Sequence, residues 1–178
     1  MKKIVLTALL LTLSFGAFAQ DDVEEKDYTS NVATLNSTIE SLYTVISGDK
    51  GFKRDWDLFK HLFHENAKLI PARKSRKDEL KVRYMSVDDY ISTSGEWLET
   101  NGFHEREVHR TVESFGAITQ VFSTYEAYKT KTDEVPFLKG INSIQLFNDG
   151  TRWWIINLLW TQETEDTPIP ATYLPQED

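Results

Sequence analysis

Four consecutive β-forming segments in the second half of the chain constrain its fold most. Residues 103–113, 117–129, 139–147 and 151–162 are rich in Val, Ile, Thr and aromatic residues, which favour extended structure. The first and third segments are followed by the turn sequences "SFG" and "NDG", which are typical of tight hairpins. This half of the chain therefore predicts an antiparallel meander.

The first half of the chain has a helical pattern. Apolar residues recur at three- and four-residue spacing in 32–46, in "DWDLFKHLF" and in 87–98, which predicts three helices. We expect Thr29 or Ser30 to cap the first helix, and Gly48 to end it. Asp55 and Ser86 are expected to cap the other two, and Asn101-Gly102 to end the third.

Two short strands are predicted between the second and third helices. They are "AKLIPA" and "VRYMS", separated by the charged stretch "RKSRKDELK". Pro71 lies inside the first of them and cannot donate a backbone hydrogen bond, so we expect an edge strand there. The basic loop can hold an anion, although a solvated hairpin tip is the simpler interpretation.

Helices followed by a meander indicate an α+β domain. We predict N-terminal helices packed on a strongly curved, mixed or antiparallel sheet, which together form a cone with a cavity inside. The expected domain spans residues 29–165, after an acidic leader at 20–28. The last segment, 166–178, contains three prolines and is expected to wrap the surface.

The first residues predict export. Lys2 and Lys3 precede the apolar run "IVLTALLLTL" and a small-residue site ending at Ala19, a pattern typical of a cleavable signal peptide. We expect residues 1–19 to be removed after Ala19, giving a secreted or periplasmic protein. The apolar run is too short for a stable membrane span, so we expect no membrane anchor.

Composition narrows the function. The 178 residues carry a net charge of −8 and contain no cysteine, which argues against nucleic acid as a partner and rules out disulfides. No phosphate loop, dinucleotide fingerprint or nucleophile motif occurs. We predict neither a metal nor a cofactor.

The Asp-Gly pair suggests a register for the last hairpin. A two-residue turn there places Asn142 opposite Asn157 and Leu146 opposite Trp153. Both faces of "RWWIINLLW" are apolar, so one face needs a cover besides the helices. A second subunit, forming a homodimer through the sheet, is one candidate for that cover. The C-terminal segment of a monomer is the other.

The stretch "FHEREVHR" at 103–110 carries the strongest candidates for chemistry. Two-residue periodicity aligns Glu105, Glu107 and His109 on one face. A three-residue "SFG" turn, with Gly116 at positive φ, places Glu105 opposite Tyr125, Glu107 opposite Ser123 and His109 opposite Val121. His104 and His109 are five residues apart and are therefore expected on opposite faces, which argues against a shared zinc ion.

Two interpretations of that face remain open. It is either a solvated outer surface with cross-strand ion pairs, or a cavity wall where Glu and His perform acid–base chemistry. For the second case we predict Glu107, His109 and Tyr125 as catalytic residues. The predicted ligand contacts are Glu105, Ser123, Asn142, Asn157, Trp56 and Trp153.

The element order and several stretches resemble the nuclear transport factor 2-like superfamily, which includes SnoaL-like and ketosteroid-isomerase-like proteins. The stretches are "IESLYTVISGDKGFKRDWDLFKHLFHENAKLIP", "MSVDDYI", "FGAITQVFSTYEAY" and "GINSIQLFNDGTRWWIINLLW". The resemblance covers about residues 30–162 and points to a secreted bacterial subgroup. It implies a cone with a pocket between sheet and helices, often dimerised through the sheet. Many relatives carry a His late in the final strand, where this chain has Asn157 or its neighbours.

Three functional hypotheses follow. The favoured one is a secreted or periplasmic SnoaL-like protein that binds a small, partly apolar ligand in the cone cavity. The alternative is an acid–base enzyme, a cofactor-independent isomerase or a hydratase-like lyase. The third is a dimeric assembly module. The fold itself does not choose among them, since it hosts both enzymes and binders.

Overall fold

The structure, a computed structural model, describes residues 26–176. The predicted signal peptide, 1–19, and the first part of the predicted leader lie outside the described residues. The elements in chain order are α1 Thr29–Val32, α2 Leu35–Ile46, α3 Trp56–Leu62, β1 Phe63–Lys74, β2 Leu80–Val82, α4 Val87–Asn101, β3 His104–Phe115, β4 Ile118–Tyr128, β5 Leu138–Asn148, β6 Trp153–Gln162 and a short 3-10 turn, Ala171–Tyr173.

Six strands form one mixed sheet in the order β2-β1-β6-β5-β4-β3. The pairs from β3 to β6 are antiparallel, as predicted for the meander. β1 pairs in parallel with β6, which brings the first strand of the chain beside the last. The predicted α+β class is confirmed.

Side chains decide where the helices begin. The predicted first helix is divided into α1 and α2, and the cap of α2 is Thr34 rather than Thr29 or Ser30. The Thr34 hydroxyl accepts from the Ser37 backbone N–H at 3.0 Å, satisfying a donor that has no partner within the helix. Ser86 caps α4 in the same way, and Gly102 follows α4 at φ 71°, both as predicted.

The prediction of an edge strand at Pro71 is wrong. β1 is twelve residues long and lies between β2 and β6. The Pro71 carbonyl accepts from the Arg83 backbone N–H at 3.2 Å, but Pro71 has no N–H to return to Arg83. The short β2 ends at Val82, so the missing bond costs little.

The β3–β4 register differs from the prediction because the turn is tighter and β3 contains a bulge. Phe115 pairs with Ile118, which leaves a two-residue turn with Gly116 at φ 57°. Between Glu107 and His109 the register shifts, so Val108 has no partner. A bulge adds one residue and reverses the alternation of faces beyond it.

The β5–β6 register also differs from the prediction. Asn148 pairs with Trp153, so the turn has four residues rather than two. A second bulge at Ile156 then pairs Asn142 with Trp160 and Asn157 with Gln145. The predicted pairs Asn142–Asn157 and Leu146–Trp153 are therefore wrong.

The helices cover the face of β4 that carries Val121, Ser123 and Tyr125. All three residues are buried, and Ser123 contacts Tyr43 of α2. We call this the inner face of the sheet. The core lies between it and α2, α3 and α4, with Ile39, Phe59, Leu69, Ile144, Leu146 and Ile155 among its buried residues.

The C-terminal segment crosses the opposite, outer face. The Tyr173 ring packs edge-on against Phe122 at 5.0 Å between centroids. The Tyr173 carbonyl accepts from the Thr124 hydroxyl at 2.6 Å. The prediction that this segment wraps the surface is thus confirmed for its described part.

Arg54 fastens the loop after α2 to α4. Its buried guanidinium donates to the carbonyls of Ile46 at 2.8 Å, Gly48 at 2.9 Å and Leu98 at 3.0 Å. Because the Ile46 and Leu98 carbonyls lie in the last turns of α2 and α4, one cation satisfies helix-end acceptors that have no intrahelical partner. This contact fixes one end of the cone.

Candidate functional site

A cavity of about 390 Å³ lies between the inner face and the helices. Its walls are mostly apolar and aromatic, with a few polar groups. The residues that line it include Leu69, Tyr90, Trp160, Tyr125, Glu105, Asn142, Ser94, Arg73 and Gln162. A smaller hollow of about 200 Å³ lies between the outer face and 167–170. The cone cavity is the better candidate because an enclosed carboxyl and an enclosed amide lie in its wall.

A hydrogen-bonded chain of side chains lies at this wall. Asn142 donates to the Tyr43 hydroxyl at 3.0 Å and to a Glu105 carboxylate oxygen at 3.3 Å. The Tyr43 and Ser123 hydroxyls are 2.6 Å apart. Ser123 in turn donates to Glu107, so Tyr43 is the donor to Ser123. The chain therefore links two carboxyl groups through an amide, a phenol and a hydroxyl.

The position of Glu105 is set by the end of α2. Ser47, which follows α2, accepts from the Glu105 backbone N–H at 2.9 Å and donates to the Tyr43 carbonyl at 2.7 Å. Glu105 retains some solvent-accessible area because it borders the cavity. Protein atoms nevertheless desolvate its carboxyl group, and this burial raises its pKa to about 8. Near neutral pH the group is therefore mostly a neutral acid that can donate a hydrogen bond.

Two tyrosines face the same cavity. Tyr90 stacks on Phe59 with centroids 5.3 Å apart and meets Trp160 edge-on at 6.3 Å. Tyr125 is buried on β4. Burial, and next the charge of Glu105, raise the pKa of both phenols. Within residues 26–176 neither hydroxyl makes a hydrogen bond to protein, so both can bond a ligand.

Glu107 lies on the same side of β3 as Glu105 but is already engaged. It forms an ion pair with Arg110, which also donates to Asn36 at 3.1 Å. Together with the Ser123 hydroxyl, these contacts occupy the Glu107 carboxylate. Glu107 is not among the residues that line the cone cavity. Its catalytic role remains a prediction, and the geometry favours Glu105 instead.

His109 does not share a face with Glu105 and Glu107, contrary to the predicted row. The bulge at Val108 pairs His109 with Thr124, on the outer face. Its Nε2 is buried and has no hydrogen-bond partner among the described residues. His104 pairs with Tyr128, four residues from Thr124, so the prediction that the two histidines lie on opposite faces is also wrong.

The predicted ligand contacts divide into three groups. Glu105 and Asn142 line the cavity, as does the predicted catalytic Tyr125. Ser123 lies behind the cavity wall, where its hydroxyl is hydrogen-bonded to that of Tyr43. The other three are outside the lining: Asn157 bonds Gln145 at 3.4 Å, Trp153 packs on the core, and Trp56 packs edge-on against Phe59.

Sequence reasoning missed Tyr90 and Tyr43 as site residues. Both were expected on the core-facing side of a helix, where an aromatic residue is usually packing material. A phenol on that side is a usable signal, since a buried hydroxyl needs a partner. Trp160 was missed because the wrong β5–β6 register placed it away from Asn142, with which it pairs.

Comparison with known proteins identifies the fold. A protein of unknown function with a cystatin-like fold from Nostoc punctiforme matches at 8% identity and TM-score 0.55, covering 73% of this chain and 89% of its own. A nuclear transport factor 2-like protein of unknown function from Pseudomonas putida matches at 12% and 0.55, covering 79% and 93%. Another from Silicibacter pomeroyi matches at 14% and 0.51, covering 74% and 94%. The chain has the nuclear transport factor 2-like fold.

The resemblance noted from the sequence is thus confirmed for the nuclear transport factor 2-like cone. At these identities the similarity describes the fold alone. No family model matches the sequence, and no curated protein does.

Two further properties concern residues 26–176 only. No helix in this range is long and apolar enough to span a membrane. The same range contains no group of three or more His, Cys, Asp or Glu side chains placed to hold a metal ion.

Proposed function

We propose that this protein binds a small, partly apolar molecule in the cone cavity. The observation that carries the proposal is the enclosed Glu105–Asn142 pair in the wall of a mostly apolar and aromatic cavity. Burying a carboxyl group without a full set of partners costs free energy, and a ligand that bonds it recovers part of that cost. The hydroxyls of Tyr90 and Tyr125 add two further bonding groups.

The test is to identify what co-purifies with the protein. Denatured extracts of the wild type and of Ser94→Trp are compared by mass spectrometry. Ser94 lines the cavity on α4, so the indole obstructs it. Ser92→Trp is the matched control, because Ser92 is exposed on the same helix and does not line the cavity. We expect a compound present with the wild type and Ser92→Trp but absent with Ser94→Trp. The proposal is contradicted if the extracts of all three proteins contain the same compounds and no added small molecule raises the melting temperature of the wild type.

A second candidate is acid–base catalysis, favoured by one observation. A carboxyl group whose pKa is about 8 is suited to exchange protons near neutral pH. The ionised form of Glu105 would remove a proton beside a substrate carbonyl, while Tyr90 or Tyr125 donates to the carbonyl oxygen. This is the isomerase or lyase chemistry expected above, with Glu105 in place of Glu107 and His109.

Deuterium exchange tests the second candidate. The recovered ligand is incubated with protein in heavy water and its mass is followed. Deuterium exchange that is lost in Glu105→Gln but retained in Glu107→Gln supports catalysis by Glu105. Exchange lost only in Glu107→Gln restores the original assignment, and absence of exchange in every variant leaves a binder.

We further propose export and self-association. Export rests on the residues 1–19 pattern, and its test is the amino-terminal sequence of exported protein, expected to begin at Gln20. A homodimer through the sheet would use the outer-face residues beyond the C-terminal segment, where Phe115 is 86% and Ile118 59% exposed. Light scattering should then show a dimer that Phe115→Glu dissociates. A wild-type monomer at micromolar concentration would exclude both the dimer and the assembly-module hypothesis.

A further inference from the structure

The mouth of the cone cavity opens onto a cationic groove. A groove of about 950 Å³ shares four lining residues with the cavity, Arg73, Ser94, Trp160 and Gln162. The charged residues that line the groove are all basic: Arg73, Lys74, Lys81 and Arg83. The whole chain, by contrast, has 28 acidic and 20 basic residues. The positive groove is therefore a local departure from an acidic surface.

Strand register turns three of these cations toward the same side as the cavity. Arg73 pairs with Lys81, and the Arg83 backbone N–H bonds Pro71, two residues before Arg73. Leu69 is a further two residues back and lines the cavity. Because side chains alternate along a strand and paired residues share a face, Arg73, Lys81 and Arg83 extend the cavity wall outward.

The two arginines have unused binding capacity. Lys74 is paired with Asp78 at 3.0 Å and with Asp166 at 3.9 Å, and Lys81 is paired with Glu79 at 2.6 Å. Neither Arg73 nor Arg83 forms a salt bridge within residues 26–176. The pKa of Asp89 is lowered mainly by its hydrogen bonds with Ser86, and the charge of Arg83 makes a smaller contribution. A guanidinium presents a planar fork of donors that matches the oxygens of a carboxylate, sulfonate or phosphate.

We infer that the ligand is an organic anion with an apolar body. Its body occupies the aromatic cavity and its anionic group lies between Arg73 and Arg83 in the groove. The neutral form of Glu105 does not repel such a molecule and can donate to a polar group at its other end. This inference rests on the proposed binding function and specifies the chemistry of its ligand.

A matched pair of fluorescent probes tests the inference. Anilinonaphthalene sulfonate and N-phenylnaphthylamine share one aromatic frame, and only the first carries an anionic group. We expect both probes to bind the wild type, and Ser94→Trp to abolish both. The double variant Arg73→Gln/Arg83→Gln should weaken the sulfonate about tenfold and leave the amine unchanged, which also shows that the variant is folded.

The control is Arg76→Gln/Lys77→Gln, which removes the same charge from the hairpin tip outside the groove. It should change neither affinity. The inference would be overturned if the control variant lost as much affinity for the sulfonate as Arg73→Gln/Arg83→Gln does. It would also be overturned if the wild type bound the two probes with equal affinity. Either result would leave the cavity as a binding site. Binding that survives Ser94→Trp would instead overturn the proposed function.

Salt titration of the wild type gives a second readout that needs no variant. Raising the ionic strength should weaken the sulfonate and not the amine. A sulfonate affinity that does not respond to salt counts against an ionic contact in the groove.

Discussion

Asn142 of β5 joins Tyr43 of α2 to Glu105 of β3 through its two amide hydrogens, at 3.0 and 3.3 Å. One side chain thus ties the helical layer to two strands at the cavity wall. A side-chain amide has two hydrogens to donate, so one serves Tyr43 and the other serves Glu105. The arrangement holds the enclosed carboxyl of Glu105 in place before a ligand arrives.

Stability should depend on pH through Glu105. Its folded pKa of about 8 is raised above the ordinary value of 4.5, so the folded protein keeps a proton that the unfolded chain loses between those values. The free energy of unfolding should therefore fall as the pH rises from about 4.5 to about 8. Glu105→Gln cannot ionise, and we expect it to be more stable than the wild type at about pH 8.5 by roughly 2 kcal/mol.

Urea unfolding of both proteins at about pH 5 and pH 8.5 measures this difference. Glu96→Gln, on the exposed side of α4, controls for loss of a surface charge. The same pH dependence in the wild type and Glu105→Gln would show that Glu105 titrates normally.

The bond between Asn142 and Tyr43 should be measurable by a double-mutant cycle. Asn142→Ala leaves two enclosed acceptors with fewer partners, and we expect it to destabilise the fold by about 1–3 kcal/mol. Tyr43→Phe should lower the free energy of unfolding by about 1 kcal/mol. The coupling between the two changes, obtained from urea unfolding, should be about 1 kcal/mol. Strict additivity would mean that the bond contributes nothing to stability.

His109 is expected to weaken the fold rather than support it. Its Nε2 is buried without a hydrogen-bond partner among the described residues, and such a group costs about 1–3 kcal/mol. His109→Phe keeps a ring of similar size, so it should raise the free energy of unfolding by about 1 kcal/mol. His104→Phe is the comparison variant. It breaks a 2.8 Å hydrogen bond to Asp49 and should therefore lower the free energy of unfolding. If His109→Phe destabilises as much as His104→Phe, His109 has a partner in solution.

The C-terminal segment should contribute stability through Tyr173. Its ring covers Phe122 on the outer face, and Tyr173→Ala removes that ring while keeping the backbone carbonyl that Thr124 bonds. We expect a loss of about 1–2 kcal/mol in thermal or urea unfolding. Tyr84→Ala removes a ring that is 68% exposed and should change little. Equal effects of the two substitutions would mean that the segment does not rest on the sheet.

Local sequence signals determined the elements whose cause is also local. Ser86 bonds a backbone N–H three residues away, and Gly102 adopts a positive φ that other residues avoid, so the bounds of α4 were predictable. The order of helices before strands, together with the β-forming segments, was enough for the α+β class and the cone. Glu105, Asn142 and Tyr125 could be identified as cavity candidates from residue type and two-residue periodicity, although the partners predicted for them were wrong.

The tertiary structure decided which residues meet. The bulges at Val108 and Ile156 shift two registers, and no turn residue marks either position, because a bulge is set by the neighbouring strands and the layer above them. Tyr43 and Asn142 are 99 residues apart, and β1 and β6, the first and last strands of the chain, pair in parallel. Contacts of this kind depend on how all the strands and helices pack together, and no short stretch of sequence encodes that packing. Helix caps and hairpin glycines depend on their near neighbours alone.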